Sequence, residues 1–170
     1  MAAREAGRGA SEGRTTRRPR AQVTLDATDK TILRALQKDG RMSYAQLGPQ
    51  VGLSAPAARQ RVQRLIDLEV LRVVGVTDPL ALGLPLMAML GIRAAGDLRA
   101  VADRVAELNE VIYVVLTSGV YDLLVEVVCR EPHELLDLVE DAIKPIEGVR
   151  GVESLVYLDI HTHRFDWDVP

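Results

Sequence analysis

The sequence predicts an α+β protein, with a helix-turn-helix in its N-terminal part and a βαββαβ arrangement in its C-terminal part. Three short amphipathic helices are predicted before residue 70, and beyond residue 77 the apolar pattern alternates between strands and helices. The charge changes as well, because residues 21–72 hold eight Lys/Arg against five Asp/Glu, whereas residues 73–170 hold seven against seventeen. A basic part followed by an acidic part indicates that only the first part meets an anionic partner.

We divide the chain into three segments. Residues 1–22 hold scattered arginines without apolar periodicity and are predicted to be a disordered basic tail, which either touches the DNA backbone or is dispensable. Residues 23–76 form the predicted helix-turn-helix domain. Its last run, VLRVVGV at 70–76, is β-branched and is expected to be extended, as a wing or as a strand leading into the next domain. Residues 77–170 form the second domain.

The composition is that of a soluble cytoplasmic protein. The longest apolar stretch, residues 79–92, is interrupted by Gly83 and Pro85 and is shorter than the roughly 20 residues of a membrane span. No apolar segment follows the N-terminal arginines, so we expect neither a secretory signal nor a membrane partner. The single cysteine, Cys129, cannot form an internal disulfide, which fits a reducing compartment.

Each predicted N-terminal helix begins at a residue type that caps helices. Asp26, Ser43 and Ser54 are the predicted caps, and Gln46 completes a capping box with Ser43. Gly52 suits a tight turn between the second and third helices, which makes this pair a helix-turn-helix unit.

The second domain is predicted to place two helices on one face of a four-stranded antiparallel sheet. The predicted strands cover about 86–93, 111–117, 122–129 and 152–162, and the helices begin near residues 96 and 132. The runs LPLMAML, VIYVVL and LLVEVV are apolar at nearly every position. In a sheet with one solvent-exposed face, apolar and polar residues would alternate along each strand. We therefore expect the second face to be buried against another copy, in an obligate homodimer that can assemble further.

The third helix has one apolar side, formed by Ala58, Val62 and Leu65, and an opposite side rich in Arg and Gln. Arg and Gln side chains match the edges of guanine and adenine in the major groove of double-stranded DNA. Arg61 lies at the border and is expected to contact a phosphate or to form an internal ion pair; a merely solvated face is the alternative for the whole set. The predicted DNA-binding residues are Ser43, Tyr44, Ser54, Ala55, Pro56, Arg59, Gln60, Arg61, Gln63 and Arg64.

Four stretches resemble the Lrp/AsnC family of bacterial and archaeal regulators: LDATDKTILRALQKDGRMSYAQLG, VGLSAPAARQRVQRLIDLEVL, VTDPLALG and SGVYDLLVEV. The resemblance covers roughly Thr24 to Thr162. It implies a winged helix-turn-helix followed by a ferredoxin-like βαββαβ domain, called RAM, that senses a ligand and forms oligomers. It also implies dimers joined through the RAM sheets, often grouped into octamers, and an amino acid or related metabolite as effector.

The resemblance also implies an effector site between subunits, near the turn formed by Ser118, Gly119, Val120, Tyr121 and Asp122. Gly119 allows a ligand to approach the backbone closely, and the carboxylate of Asp122 can pair with an ammonium group. A plain hairpin turn that needs glycine for a positive φ is the alternative.

The chain departs from the family pattern in two places. Gly48-Pro49 is expected to end or tilt the second helix early, and Val120 indicates a less polar effector, or none.

The competing functions are an enzyme and an architectural DNA-binding protein without effector. Of the three histidines, His161 and His163 would share a face of the last strand, but a metal needs at least one more ligand. We therefore predict no catalytic residue, metal or cofactor, against the alternative of a tetrapyrrole decarboxylase-like enzyme on this fold. The predicted function is sequence-specific transcriptional regulation, with DNA binding or assembly modulated by an amino acid or related small metabolite.

Overall fold

A computed structural model describes residues 23–164 and 167–169, so the predicted basic tail lies outside the described residues. The helices are α1 (Ala27–Lys38), α2 (Tyr44–Gln50), α3 (Ala55–Asp67), α4 (Leu98–Ala106) and α5 (Pro132–Asp137), which continues as a π-helical stretch over Leu138–Ile143. The strands are β1 (Leu86–Ala94), β2 (Val111–Leu116), β3 (Leu123–Cys129) and β4 (Val149–Val156). Within the described ranges, no helix is long and apolar enough to cross a membrane.

The three N-terminal helices begin at the predicted caps. Asp26 and Ser43 each form a capping box, and the Ser54 hydroxyl accepts a hydrogen bond from the backbone N–H of Ala57. The apolar sides of the helices meet in one core, which we call the helix-turn-helix core. Its buried members are Ile32, Leu33, Leu36, Leu47, Ala58, Val62, Leu65, Leu71 and Val169.

Of the two effects expected from Gly48-Pro49, an early end of the second helix is wrong, and a tilt stays a prediction. Helix α2 is short, but it runs through both residues to Gln50. A Cβ at position 48 would lie only 2.6 Å from the carbonyl oxygen of Leu53 and 3.3 Å from the backbone nitrogen of Ala55. Glycine at this position thus lets the turn into α3 pack directly against α2.

The expected wing or linker strand over 70–76 is not formed by any pairing among the described residues, where 71–78 belong to no strand. Glu69 has a φ of 54°, and the backbone N–H of Leu71 donates to the carbonyl oxygen of Leu65 at 3.1 Å, so the chain turns back onto the end of α3. Leu71 is consequently buried in the helix-turn-helix core, while Val74 is 70% exposed.

The second domain has the predicted ferredoxin-like fold. Its sheet is antiparallel with the strand order β2-β3-β1-β4. Helices α4 and α5 pack on one face, around a core that includes Leu90, Ile92, Leu123 and Val125, none of which is exposed.

The last strand was expected over residues 152–162, but it begins and ends earlier. Val149 already pairs with Ala94 through an irregularity in the register, and Val156 pairs with Ala88 near the start of β1. The backbone N–H of Tyr157 still donates to the Met87 carbonyl, next to the first residue of β1. His161 and His163 therefore lie past the strand and do not share a strand face, contrary to the prediction.

One residue crosses the predicted domain boundary. Val169 was assigned to the second domain, yet it belongs to the helix-turn-helix core and is only 6% exposed. The Arg34 side chain on α1 donates from Nη2 to the Val169 carbonyl oxygen at 2.7 Å. The periodicity of the last residues gives no sign of this contact, because it joins positions 135 residues apart.

Candidate functional sites

Helix α3 turns its polar side outward, as predicted. Ala58, Val62 and Leu65 are buried in the helix-turn-helix core, so the opposite side of the helix is held toward the surface. That side and the start of α2 form one open groove, which we call the reading groove. The groove is lined by Tyr44, Ala55, Pro56, Arg59, Gln60, Gln63, Arg64 and Asp67.

The reading groove presents polar side chains that the described residues leave available. Arg59 and Gln60 are exposed, and neither forms an ion pair or side-chain hydrogen bond with a described residue. Gln63 differs, because its Nε2 donates to Oδ1 of Asp67 at 2.8 Å, one helical turn further on. The free guanidinium of Arg59 and the free amide of Gln60 are the groups of this groove that can recognise a partner.

Arg61 and Arg64 are held by an ion-pair network instead. Nη1 of Arg61 lies 2.5 Å from Oδ2 of Asp26 and 3.0 Å from Oδ1 of Asp29, while Nη1 of Arg64 lies 3.1 Å from Oδ2 of Asp29. Asp29 is only 1% exposed, and the two arginines are the cationic partners of its buried side chain. Of the two roles expected for Arg61, the internal ion pair is the one that the structure shows.

The network has electrostatic consequences at its exposed end. The hydrogen bond from the Asp29 backbone N–H, and then that from the Arg61 side chain, hold the pKa of Asp26 below its ordinary value. The hydrogen bonds from Arg61 to Asp26 and then to Asp29 raise the pKa of the Arg61 guanidinium. The effect of the network is to fasten α3 to α1, which keeps the reading groove in a fixed orientation.

The two serines predicted to bind DNA differ in whether the hydroxyl hydrogen is still available for a hydrogen bond. The Ser43 hydroxyl donates to Oε1 of Gln46 at 2.8 Å, so its hydrogen is used within the capping box. The Ser54 hydroxyl only accepts, from the Ala57 N–H at 3.4 Å, and can still donate to an anion at the start of α3. Tyr44 stands at the edge of the groove and is 38% exposed.

The turn of Ser118 to Asp122 joins β2 and β3, and Asp122 is tied into the sheet there. Its Oδ2 accepts a hydrogen bond from the Ala94 N–H at 2.8 Å, and its own N–H donates to the Ile92 carbonyl. One carboxylate oxygen of Asp122 thus supports the end of β1, and the expected contact of Asp122 with an ammonium group stays a prediction.

The rest of this turn is open. Gly119 does not have a positive φ, so the alternative of a hairpin that needs glycine for its conformation is wrong. A Cβ at position 119 would meet no atom within 4 Å. The backbone N–H groups of Ser118, Gly119 and Val120 donate to no described residue. The side chain of Val120 is 76% exposed.

Tyr121 belongs to a cluster on the sheet that the sequence analysis missed. Its ring lies against Gly91, where a Cβ would be 2.7 Å from the ring atoms, and its Oη donates to Oε2 of Glu153 at 2.5 Å. Arg93 forms an ion pair with Glu153 and lies 6.0 Å from the Tyr121 ring centroid. The hydrogen bond to Glu153, then burial, raise the pKa of Tyr121. Only the β1–β4 register, which sets Gly91 opposite Glu153, reveals this cluster.

The sheet face opposite α4 and α5 is largely apolar; we call it the open face. Met89, Leu124 and Leu155 alternate along their strands with residues of the core beneath the helices, and Tyr113 lies opposite Glu126 on the same face. Leu155 is 51% exposed and Tyr113 is 53% exposed.

Two carboxylates lie on the open face, Glu153 of the Tyr121 cluster and Glu126, and both have partners. Glu126 accepts a hydrogen bond from the Tyr157 hydroxyl at 2.9 Å. Burial, and then this hydrogen bond, raise the pKa of Tyr157 to about 12. Among the described residues, no group of three or more His, Cys, Asp or Glu side chains is placed to hold a metal ion.

Comparison with known proteins decides the family. The model of the AsnC-type helix-turn-helix domain matches residues 25–66, and the model of the Lrp/AsnC ligand binding domain matches residues 87–166. The chain belongs to the Lrp/AsnC family. It is therefore a transcriptional regulator with a helix-turn-helix domain and a ligand-binding domain.

Relatives of this Lrp/AsnC protein match it over most of their length. It is 32% identical to the HTH-type transcriptional regulator FL11 of Pyrococcus furiosus, over 81% of this chain and 91% of the relative. The AsnC structure of E. coli matches with a TM-score of 0.74 and 26% identity, covering 84% of this chain and 97% of that one. A transcriptional regulator of Neisseria meningitidis, solved as an L-Met complex, matches with a TM-score of 0.75 and 26% identity, covering 86% and 97%.

Proposed function

We propose that this Lrp/AsnC protein is a sequence-specific regulator that reads double-stranded DNA with α3 and is modulated by an amino acid or a related small metabolite. The observation that carries the proposal is the reading groove, in which Arg59 and Gln60 lie side by side without partners among the described residues. The buried side of α3 and its ion pairs with α1 hold these side chains on a rigid element. Rigid presentation is what base readout requires.

The chemistry of the reading groove suits the major groove of DNA. Arg59 can donate two hydrogen bonds to guanine O6 and N7, and Gln60 can pair with adenine N6 and N7. The Ser54 hydroxyl and the free backbone N–H of Ala55 supply phosphate contacts. Because Arg61 and Arg64 remain 35% and 48% exposed at their side chains, they add positive charge near the phosphates without leaving their ion pairs.

The open face supports a homodimer. Its apolar residues, among them Met89, Leu124 and Leu155, are of the kind that an antiparallel sheet turns toward a covering layer. A second copy covers the face by a closed twofold contact, which also brings two reading grooves into one particle. We further propose that such dimers assemble into higher oligomers.

The turn at Gly119 supports an effector with both an anionic and a cationic group. The three backbone N–H groups of Ser118, Gly119 and Val120 have no acceptor among the described residues, and together they suit a carboxylate. The second oxygen of Asp122 remains for an ammonium group. An α-amino acid carries both groups, and the Neisseria neighbour was solved with L-Met.

Selection from a random DNA library tests the proposed DNA reading. The full-length protein is expected to enrich one short motif, in two copies at a fixed distance, because a dimer presents two reading grooves. Recovery of all sequences in equal proportion would contradict sequence-specific binding and favour an architectural DNA-binding protein.

Thermal unfolding in the presence of each of the twenty amino acids tests the effector. A ligand that binds the native state at about 100 times its Kd contributes about 2.7 kcal/mol and raises the Tm. The variant Gly119→Leu should lose this response while keeping the ligand-free Tm, since a Cβ there would meet no atom within 4 Å. Gly75→Leu, also at an open position, is the matched control and should keep the response. The absence of any response in the wild type would contradict the amino-acid effector.

A further inference from the structure

Residues 167–169 return from the ligand-binding domain to the helix-turn-helix domain. Val169 is 6% exposed within the helix-turn-helix core, and its carbonyl oxygen accepts the 2.7 Å hydrogen bond from Arg34 on α1. Trp167, two residues earlier, is 73% exposed. The contact thus consists of the buried side chain of Val169, which we call the anchor, and of the hydrogen bond from the Arg34 guanidinium to its carbonyl oxygen.

Val169 lies outside both stretches that match the family models, whereas its partner Arg34 lies within the first. The helix-turn-helix match ends at residue 66 and the ligand-binding match ends at residue 166. The family models therefore do not describe the position of Val169.

The anchor gives the helix-turn-helix domain a second connection to the ligand-binding domain. The first connection runs from Leu71, buried in the helix-turn-helix core, to the start of β1 at Leu86. The second runs from Tyr157, which is fastened to the open face through Glu126, to Val169. Val169 follows Tyr157 by twelve positions in the chain, so the second connection reaches about 43 Å at most.

We propose that Val169 and Arg34 form a docking point through which the C-terminal segment fixes the orientation of the helix-turn-helix domain and so sets which half-site spacing the dimer accepts. This inference rests on the proposed function, because it needs two reading grooves on one DNA. A domain held by one connection can rotate to follow a displaced half-site. A domain held by two connections cannot rotate as far, so a wrong spacing prevents simultaneous engagement and forfeits the avidity of the pair.

The test compares three duplexes that carry the selected motif: the preferred pair of half-sites, the same pair with about 5 bp inserted, which is half a helical turn, and one half-site alone. The wild-type protein should lose about 100-fold in affinity on the insertion. Val169→Ser and Arg34→Ala should reduce that loss to under about 10-fold, while affinity for the single half-site stays within about 2-fold of wild type. Trp167→Ala, which changes an exposed neighbour, should behave like wild type.

A second variant separates the docking point from the stability of the core. Insertion of about six Gly/Ser residues after Asp159 leaves Val169 free to dock but adds roughly 22 Å to the maximum reach of the connection. It should also relax the spacing preference, with an unchanged Tm.

Three results would overturn the inference or its basis. An unchanged spacing penalty in all three variants contradicts the inference alone. A fall in single half-site affinity as large as that on the pair would show that Val169 merely completes the helix-turn-helix core, which also contradicts it. A wild-type protein without any sequence preference would contradict the proposed function, and the inference with it.

Discussion

At the scale of single residues, the buried carboxylate of Asp29 is the point on which the orientation of α3 depends. It forms ion pairs with both Arg61 and Arg64 and is nearly inaccessible to water. Asp29→Ala leaves two arginines without their common partner, so we expect a loss of about 1–3 kcal/mol in the free energy of unfolding, measured by urea denaturation. Asp103→Ala, an exposed aspartate on α4 without a described partner, is the control. Equal stability of the two variants would show that the network contributes nothing.

Cys129 gives a second prediction at this scale. Burial, and then the negative charges of Glu134 and Glu110, raise the pKa of its thiol to about 11. Because the thiolate is the reactive form, the folded protein should react slowly with iodoacetamide at pH 8 and faster as the pH rises toward 11. Unfolding in urea should make the labelling at pH 8 rapid. Fast labelling of the folded protein at pH 8 would contradict the assigned environment.

At the scale of elements, the junction of α2 and α3 depends on Gly48. Gly48→Ala would place a Cβ 2.6 Å from the Leu53 carbonyl oxygen, a backbone atom that cannot move without shifting α3. We expect a loss of about 1–3 kcal/mol in the free energy of unfolding and weaker DNA binding. The matched control is Gly75→Ala, where a Cβ meets nothing within 4 Å, and it should leave the Tm unchanged. If the two variants have the same Tm, the close packing at Gly48 does not constrain the junction.

The elements that the sequence predicted correctly are those with a local cause. The caps at Asp26, Ser43 and Ser54 and the apolar sides of α1 and α3 depend on residues three or four apart, and all were confirmed. The reading groove followed for the same reason, because a buried side of a helix defines its opposite side.

The features that the sequence did not predict depend on contacts between distant segments. Arg93 meets Glu153 only through the β1–β4 register, and that pairing also places the end of β4, at Val156, beside the start of β1. Val169 docks on the other domain, which no periodicity signals. The extended run over 70–76 was misjudged because β-branched residues favour strands, but a strand also needs a partner to pair with.

At the scale of the whole molecule, the open face predicts the oligomeric state. The full-length protein should sediment as a dimer or larger particle at micromolar concentration. Leu155→Asp, which places a charge on the open face, should shift it toward the monomer. Leu136→Asp, at a similarly exposed leucine on α5, is the matched control and should sediment like wild type. A monomeric wild type would contradict the dimer.

In the whole molecule, DNA reading by the N-terminal half depends on dimerisation through the C-terminal half. Two reading grooves need a dimer to bring them together, and the dimer is expected at the open face of the acidic, ligand-binding half. The net charge of −3 for the entire chain conceals this division, because the acidic half outweighs the basic one. The function therefore depends on where the charges lie and not on their total.

The most direct measurement of the DNA-reading claim is a competition assay on the selected motif with every base pair varied in turn. Arg59→Ala should lose about 1–3 kcal/mol of discrimination at one base pair of each half-site and retain it elsewhere. Arg99→Ala, an exposed arginine on α4, should keep the complete wild-type pattern. If Arg59→Ala weakens binding equally on all sequences, the side chain contacts phosphate only, and the reading of bases by α3 is contradicted.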